Sequence, residues 1–124
     1  MSRDPKRLRA FHFAHSLVLA VFRHSAALPP HQRYVIQCQL QRATLSIACN
    51  LVEGCSRSGL KEYRHFVSTA LASAREAEYL VCTATELGYL PPSAAQDCKN
   101  RCNVVVGSLQ NLLNALNGLA ASGP

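Results

Sequence analysis

The sequence is short of charge. Charged residues make up 16% of its 124 positions, against about 25% in an ordinary soluble domain. It has no tryptophan and only 6% aromatics, too few for a platform on which successive bases stack. It has no long apolar run. The longest uninterrupted one goes from Leu17 to Phe22, whereas a membrane-crossing helix needs about 20 residues. No alternating strand pattern lasts beyond a few residues, and no internal repeat is present. What the chain does have is apolar mass. Hydrophobic residues reach 48%, which excludes an intrinsically disordered chain and supplies the core of one domain, 1–124. So few charges on so apolar a chain point to a surface partly covered by a partner.

The charge that exists is mostly positive. Thirteen Lys and Arg face 7 Asp and Glu, a formal +6 and a pI near 9.3. Up to Arg75 the balance is +8, and from Glu76 onward it is −2. A basic front half suits a polyanion, either nucleic acid or an anionic membrane surface. The lack of aromatics then predicts contact with a nucleic-acid backbone and little sequence specificity. Arg3, Lys6, Arg7 and Arg9 form a basic tail, 1–8 and its edge, that can track phosphates. Arg57, Lys61 and Arg64 cluster where the third helix begins. Ser58 is placed to cap that helix, whose free N–H groups attract anions. Arg23, Arg33 and Arg75 are scattered.

The basic start, the short apolar stretch and Ser25-Ala26-Ala27 loosely resemble a signal peptide. His12, His15, Arg23 and His24 interrupt or flank the apolar part, so it reads as a helix of the mature fold. Six cysteines are present: Cys38, Cys49, Cys55, Cys82, Cys98 and Cys102. Cys98 and Cys102 lie one helical turn apart, a poor geometry for a disulfide and a poor zinc spacing. The cysteines read as reduced core thiols of a cytoplasmic protein.

Pro29-Pro30, the run Gly54 to Gly59 and Pro91-Pro92 cut the chain into helices expected at roughly 9–28, 31–54, 59–89 and 93–119. In the fourth, Ala95, Cys98, Cys102, Val105, Leu109, Leu112, Leu116 and Leu119 step by alternating three and four, a heptad seam. Ser93 with Gln96 reads as a capping box at its start. The third repeats the pattern with Leu60, Tyr63, Val67, Ala70, Ala74, Ala77, Val81 and Ala84. At 1.5 Å per residue it would be about 45 Å long, so it must run along a bundle. The second carries two apolar stripes, one of Ile36, Leu40, Ala43, Ile47 and Leu51, the other of Tyr34, Cys38, Leu45, Ala48 and Val52. The first is apolar on two sides as well, Phe11, Ala14, Val18 and Val21 on one and Phe13, Leu17 and Ala20 on the other. One buried face per helix suffices for a monomer, and two faces point to self-association.

The run from Gln39 to Gly54 resembles the Q-x-x-R-A-x-x-S-I-x-x-N-x-x-E-G signature of the four-helix bundle proteins encoded in 23S rRNA intervening sequences. Ala14-His15-Ser16-Leu17, the run Lys61-Glu62-Tyr63 with Phe66, Ala70, Ser73, Glu76 and Glu78, and Leu87-Gly88-Tyr89-Leu90 are similar to the family's flanking motifs. The resemblance implies an all-α, antiparallel up-and-down four-helix bundle that assembles as a ring-shaped homo-oligomer, typically a pentamer. It also suggests kinship with the accessory variability determinant (Avd) proteins of diversity-generating retroelements, which associate with a reverse transcriptase and nucleic acid. Three departures stand out. Phe11 occupies a common Trp position, Ala48 a common Pro position, and amides such as Asn103, Gln110 and Asn114 replace charges on the fourth helix.

Catalytic constellations are not evident. No Gly-rich phosphate loop, G-x-S-x-G or H-E-x-x-H occurs. Glu62 and His65 form a single Glu-x-x-His, where a di-iron bundle needs two. Glu76 and Glu78 point in different directions on a helix. The expectation is a non-enzyme without cofactor or metal. Gln39, Arg42, Ser46, Asn50 and Glu53 make a polar stripe that reads as a structural or oligomer seam, with Arg42 expected to meet Glu76 or Glu78. Two functions are consistent with this sequence. One is a nucleic-acid-binding accessory protein (RNA or DNA), serving a reverse transcriptase. The other is an rRNA intervening-sequence-encoded oligomeric scaffold that contacts only proteins.

Overall fold

The computed structural model describes residues 3–25 and 32–122. Four helices follow one another: α1 (Arg9–Ser25), α2 (Gln32–Cys55), α3 (Leu60–Glu86) and α4 (Pro92–Ala121). A short 3-10 turn, Pro5–Arg7, precedes them. Among the described residues there is no strand. The break expected at Pro29-Pro30, and the end expected for the first helix at residue 28, fall outside the described residues. Helix α1 packs on α2, α2 on α3 and α3 on α4, and α4 closes back against α1. That is the up-and-down four-helix arrangement, with short connections that force antiparallel neighbours.

The core follows the heptad seams. Tyr63, Val67, Ala70, Ala74, Ala77, Val81 and Ala84 of α3 are all buried. The alanines in mid-helix let α2 approach until the Ser46 and Ser73 hydroxyls meet at 2.9 Å. From α2 the stripe of Leu40, Ala43, Ile47 and Leu51 turns inward. The second α2 stripe does not. Tyr34, Leu45 and Val52 are exposed, and Cys38 and Ala48 half-buried. On α1 both apolar sides contribute, because Leu17 and Ala20 are buried along with Ala14, Val18 and Val21. On α4 the seam is buried from Ala95 to Leu109 and at Leu116, half-buried at Leu112 and open at Leu119.

Two expected caps are absent, for local reasons. The N-cap of α3 is Gly59, extended at φ −89° and ψ 146°, with no side-chain cap, so Ser58 lies one residue too early. Helix α4 begins at Pro92, whose fixed φ suits a first helical position, and its N-cap Pro91 has no capping side chain. Ser93 is therefore already inside the helix. The end of α3 is well built. Gly88 adopts φ 73°, its N–H bonds the Thr85 carbonyl at 3.0 Å, and the Tyr89 N–H bonds the Ala84 carbonyl at 2.9 Å. This is a Schellman motif, which requires a residue tolerant of the left-handed region. It turns Leu90 into a small second core with Ala84 and Ala95, against which Ile36 and Tyr89 pack.

At the opposite end, α2 and α3 come so close that a Cβ on Gly54 would sit 2.8 Å from the Phe66 Cβ. The sequence places glycine where the two backbones meet.

Candidate nucleic-acid interface

The basic tail is not a free arm. Asp4 accepts a hydrogen bond from the Lys6 N–H at 3.0 Å, and Pro5 opens the 3-10 turn. The Arg3 N–H donates to the Cys55 carbonyl at 2.6 Å. The Arg3 guanidinium donates to the Arg57 carbonyl at 3.2 Å and lies over the Tyr63 ring at 4.0 Å. The Tyr63 hydroxyl has its pKa raised, chiefly by burial and next by Cys55, with Arg3 opposing. Burial likewise raises the Cys55 thiol, again with Arg3 opposing. With these two neighbours Arg3 lines a crevice of 390 Å³, together with Asp4, Arg7 and Leu8.

This strap brings two basic groups, far apart in sequence, to one end of the bundle. Arg3 touches the α2–α3 connection directly, and Arg7 lines the same crevice. Arg57 stands in that connection, and Lys61 and Arg64 in the first turns of α3. Their engagements differ. Arg57 reaches Glu53 at 2.5 Å and Glu62 at 3.9 Å and lies over the Phe66 ring at 5.2 Å. Its Nε is buried without a partner. These pairs are half exposed, so they hold Arg57 weakly. Arg64 donates to Asn117 of α4 at 3.1 Å. Lys6, Arg7, Arg9 and Lys61 are exposed, with no acidic partner among the described residues. Arg9 lies over Phe13 at 5.8 Å.

The polar stripe of α2 divides in two. Ser46, Asn50 and Ser73 form a hydrogen-bonded link, with the Asn50 amide donating to the Ser46 carbonyl at 2.8 Å and to its hydroxyl at 3.1 Å. Glu53 belongs instead to the Arg57 cluster. Gln39, Arg42 and Glu76 are exposed. The expected Arg42 pairing with Glu76 or Glu78 is absent among the described residues, and Glu78 faces Arg75 at 3.8 Å. The reading of all six cysteines as core thiols also needs correction, since Cys49 is exposed and Cys38 and Cys82 are half-buried. Burial pushes the Cys98 thiol up to about 11 and the Cys102 thiol up to about 12.

A second cluster escaped sequence reasoning. His24 of α1 meets Asp97 of α4 at 2.9 Å. Arg101 donates to the other Asp97 oxygen at 3.0 Å and also to the Ser16 hydroxyl. The His24 hydrogen bond is the largest cause holding the Asp97 carboxyl below its usual range, and Arg101 adds to it. The Asp97–Arg101 spacing of i, i+4 was visible in the sequence, but the partners on α1 were not.

Among the described residues no helix is long and apolar enough to cross a membrane, and no group of His, Cys, Asp and Glu is gathered to hold a metal ion. No curated protein matches the chain. A crystallised protein of unknown function from the S23 ribosomal protein family of Bacteroides thetaiotaomicron VPI-5482 shares the fold, with a TM-score of 0.69 at 19% identity, over 84% of this chain and 94% of that one. The profile of the 23S rRNA-intervening sequence proteins matches residues 6–111. With α1 to α3, most of α4 and the Gln39–Gly54 motif inside that span, the chain belongs to the 23S rRNA-intervening sequence protein family.

Proposed function

We propose that this protein is a non-enzymatic, cytoplasmic, single-domain bundle that self-associates and binds the backbone of RNA or DNA through its α2–α3 end. The observation that carries this reading is the strap: it sets Arg3 and Arg7 beside the connection that holds Arg57 and leads into Lys61 and Arg64. The uncapped N-terminus of α3 lies at the same end and adds its free N–H groups to the positive field. Self-association is supported by the second stripe of α2. Tyr34, Leu45 and Val52 remain exposed in the single chain. In a ring of five the formal charge would reach about +30 and weak phosphate contacts would add. The kinship that the sequence resemblance suggests, with the accessory determinants of diversity-generating retroelements, makes a reverse transcriptase the protein partner to test.

The experiment is a salt titration of binding to labelled single-stranded RNA and duplex DNA. The expected result is a steep linear fall of log affinity with log salt, shallower by about two to three contacts in the Arg57→Ala/Lys61→Ala/Arg64→Ala variant. Absence of binding at low salt in the wild type removes the reading and leaves a scaffold that contacts only proteins. Sedimentation of the free protein reads the ring size separately.

A further inference from the structure

The α1–α4 face carries two adjoining depressions that share Ser16 and Arg101. One, of 340 Å³, is lined by His12, His15, Arg23, His24 and Asp97 besides the shared pair, with Leu19 and Ala20 as its apolar part. The other, of 290 Å³, has Phe13 and Val104 as its apolar walls, with Asn100 at its edge. The first is cationic in a specific way. Its single carboxylate, Asp97, already has one oxygen on His24 and the other on Arg101. Arg23 has no acidic partner among the described residues. His12 is committed to the Lys6 carbonyl at 2.6 Å. The His15 ring lies parallel to Phe11, with the ring centres 6.0 Å apart. The clasp of Arg101 to Asp97 and Ser16 fixes that guanidinium on the shared wall.

A charged depression beside an apolar one, with a guanidinium between them, has the layout of a nucleotide unit: phosphate, sugar, base. We propose that this face binds single-stranded nucleic acid, a phosphate resting on Arg23, His15 and Arg101 and the flanking base lying against Phe13 and Val104. The inference rests on the nucleic-acid reading above and goes beyond it, because the α2–α3 end contacts only backbone. A paired base is stacked inside its duplex and cannot lie against a side wall, so this groove selects for unpaired strands. No residue of the α2–α3 connection lines either depression, so the two sites can be tested with separate variants.

The test is fluorescence anisotropy with a labelled single-stranded oligonucleotide, its duplex of the same sequence, and inorganic phosphate as competitor. Three variants at exposed positions spare the core: His15→Ala, Arg23→Ala and Val104→Glu. Each is expected to weaken single-strand binding about fivefold, roughly one surface contact's worth, and duplex binding by clearly less. The Arg57→Ala/Lys61→Ala/Arg64→Ala variant is expected to weaken both. Unchanged single-strand affinity in all three groove variants overturns the inference, while loss in the end variant alone keeps the backbone reading intact. Displacement by phosphate at concentrations comparable with the oligonucleotide, together with a silent Val104→Glu, also overturns it, because the face then takes a free anion. A wild type that binds no strand of either kind overturns both readings together.

Discussion

Replacing Gly54 by alanine tests how the α2–α3 end is built. The new Cβ would stand 2.8 Å from the Phe66 Cβ and 3.4 Å from Tyr63 Cδ1. The Tyr63 atom can give way. The Phe66 Cβ cannot move without its backbone, so α3 must shift away from α2 by most of an ångström. Overpacking of this kind costs about 1–3 kcal/mol. Alanine offsets part of that, because it is favoured over glycine in a helix by about 0.5–1 kcal/mol. The net expectation is a loss of about 1 kcal/mol, or about 5 °C in Tm. Calorimetry at fixed protomer concentration, which holds any self-association constant, measures it. The controls are Gly107→Ala and Gly118→Ala in α4, where an added Cβ meets nothing within 4 Å. They are expected to stabilise by about 0.5–1 kcal/mol. A second check uses coupling. Phe66→Ala keeps the offending Cβ and leaves the clash in place, whereas the clash disappears in a Phe66→Gly background, so the Gly54→Ala penalty should vanish there alone. If Gly54→Ala is as stable as the control variants, the close approach is not what the glycine serves. The same shift would move Arg57 and Lys61 relative to Arg3, so nucleic-acid affinity should fall with stability.

Three further outcomes follow from the geometry. Gly88→Ala places a Cβ at φ 73°, which costs about 1 kcal/mol; an unchanged urea midpoint would contradict the Schellman ending of α3. Asp97 has its carboxyl pKa lowered in the folded state by His24 and then Arg101, so its contribution to stability is present above the ordinary carboxylate pKa of about 3.9 and fades as pH falls through the lower folded value. Asp97→Asn should therefore lower the urea midpoint at neutral pH and converge with the wild type in acid; a constant gap down to low pH would refute the clasp. Cys49 is exposed while Cys55, Cys98 and Cys102 are buried, the last two with thiols raised to about 11 and 12. A thiol reagent at pH 8 should modify Cys49 quickly and those three only on unfolding, as mass spectrometry of timed digests will read.

What the sequence made legible was periodic, and what it hid was tertiary. The alternation of three and four from Tyr63 to Ala84 named a fully buried face, because a helix repeats its facing positions at that spacing and nothing else in the chain competes for it. Periodicity alone did not rank the two stripes of α2. Both have the spacing, and only packing against α3, through Ser46 and Ser73, decides that Ile47 turns inward while Leu45 stays outside. The caps failed through single residues: extended Gly59 and Pro92 each start a helix at a position that composition assigned to a neighbouring serine. The basic residues are the most instructive case. Arg3 and Arg57 were legible as charges but not as neighbours, since no local pattern announces that a residue near the start will lie over Tyr63. Arg42 was legible as a candidate ion-pair partner and proved exposed, because Glu78 faces Arg75 and Glu76 is itself exposed. For His15, Arg23 and Arg101 the hidden step was larger still. Each is unremarked in its own helix, and they form one cationic depression only because α1 closes against α4. In a bundle this small, the helix faces are written in the sequence and the sites are written between the helices.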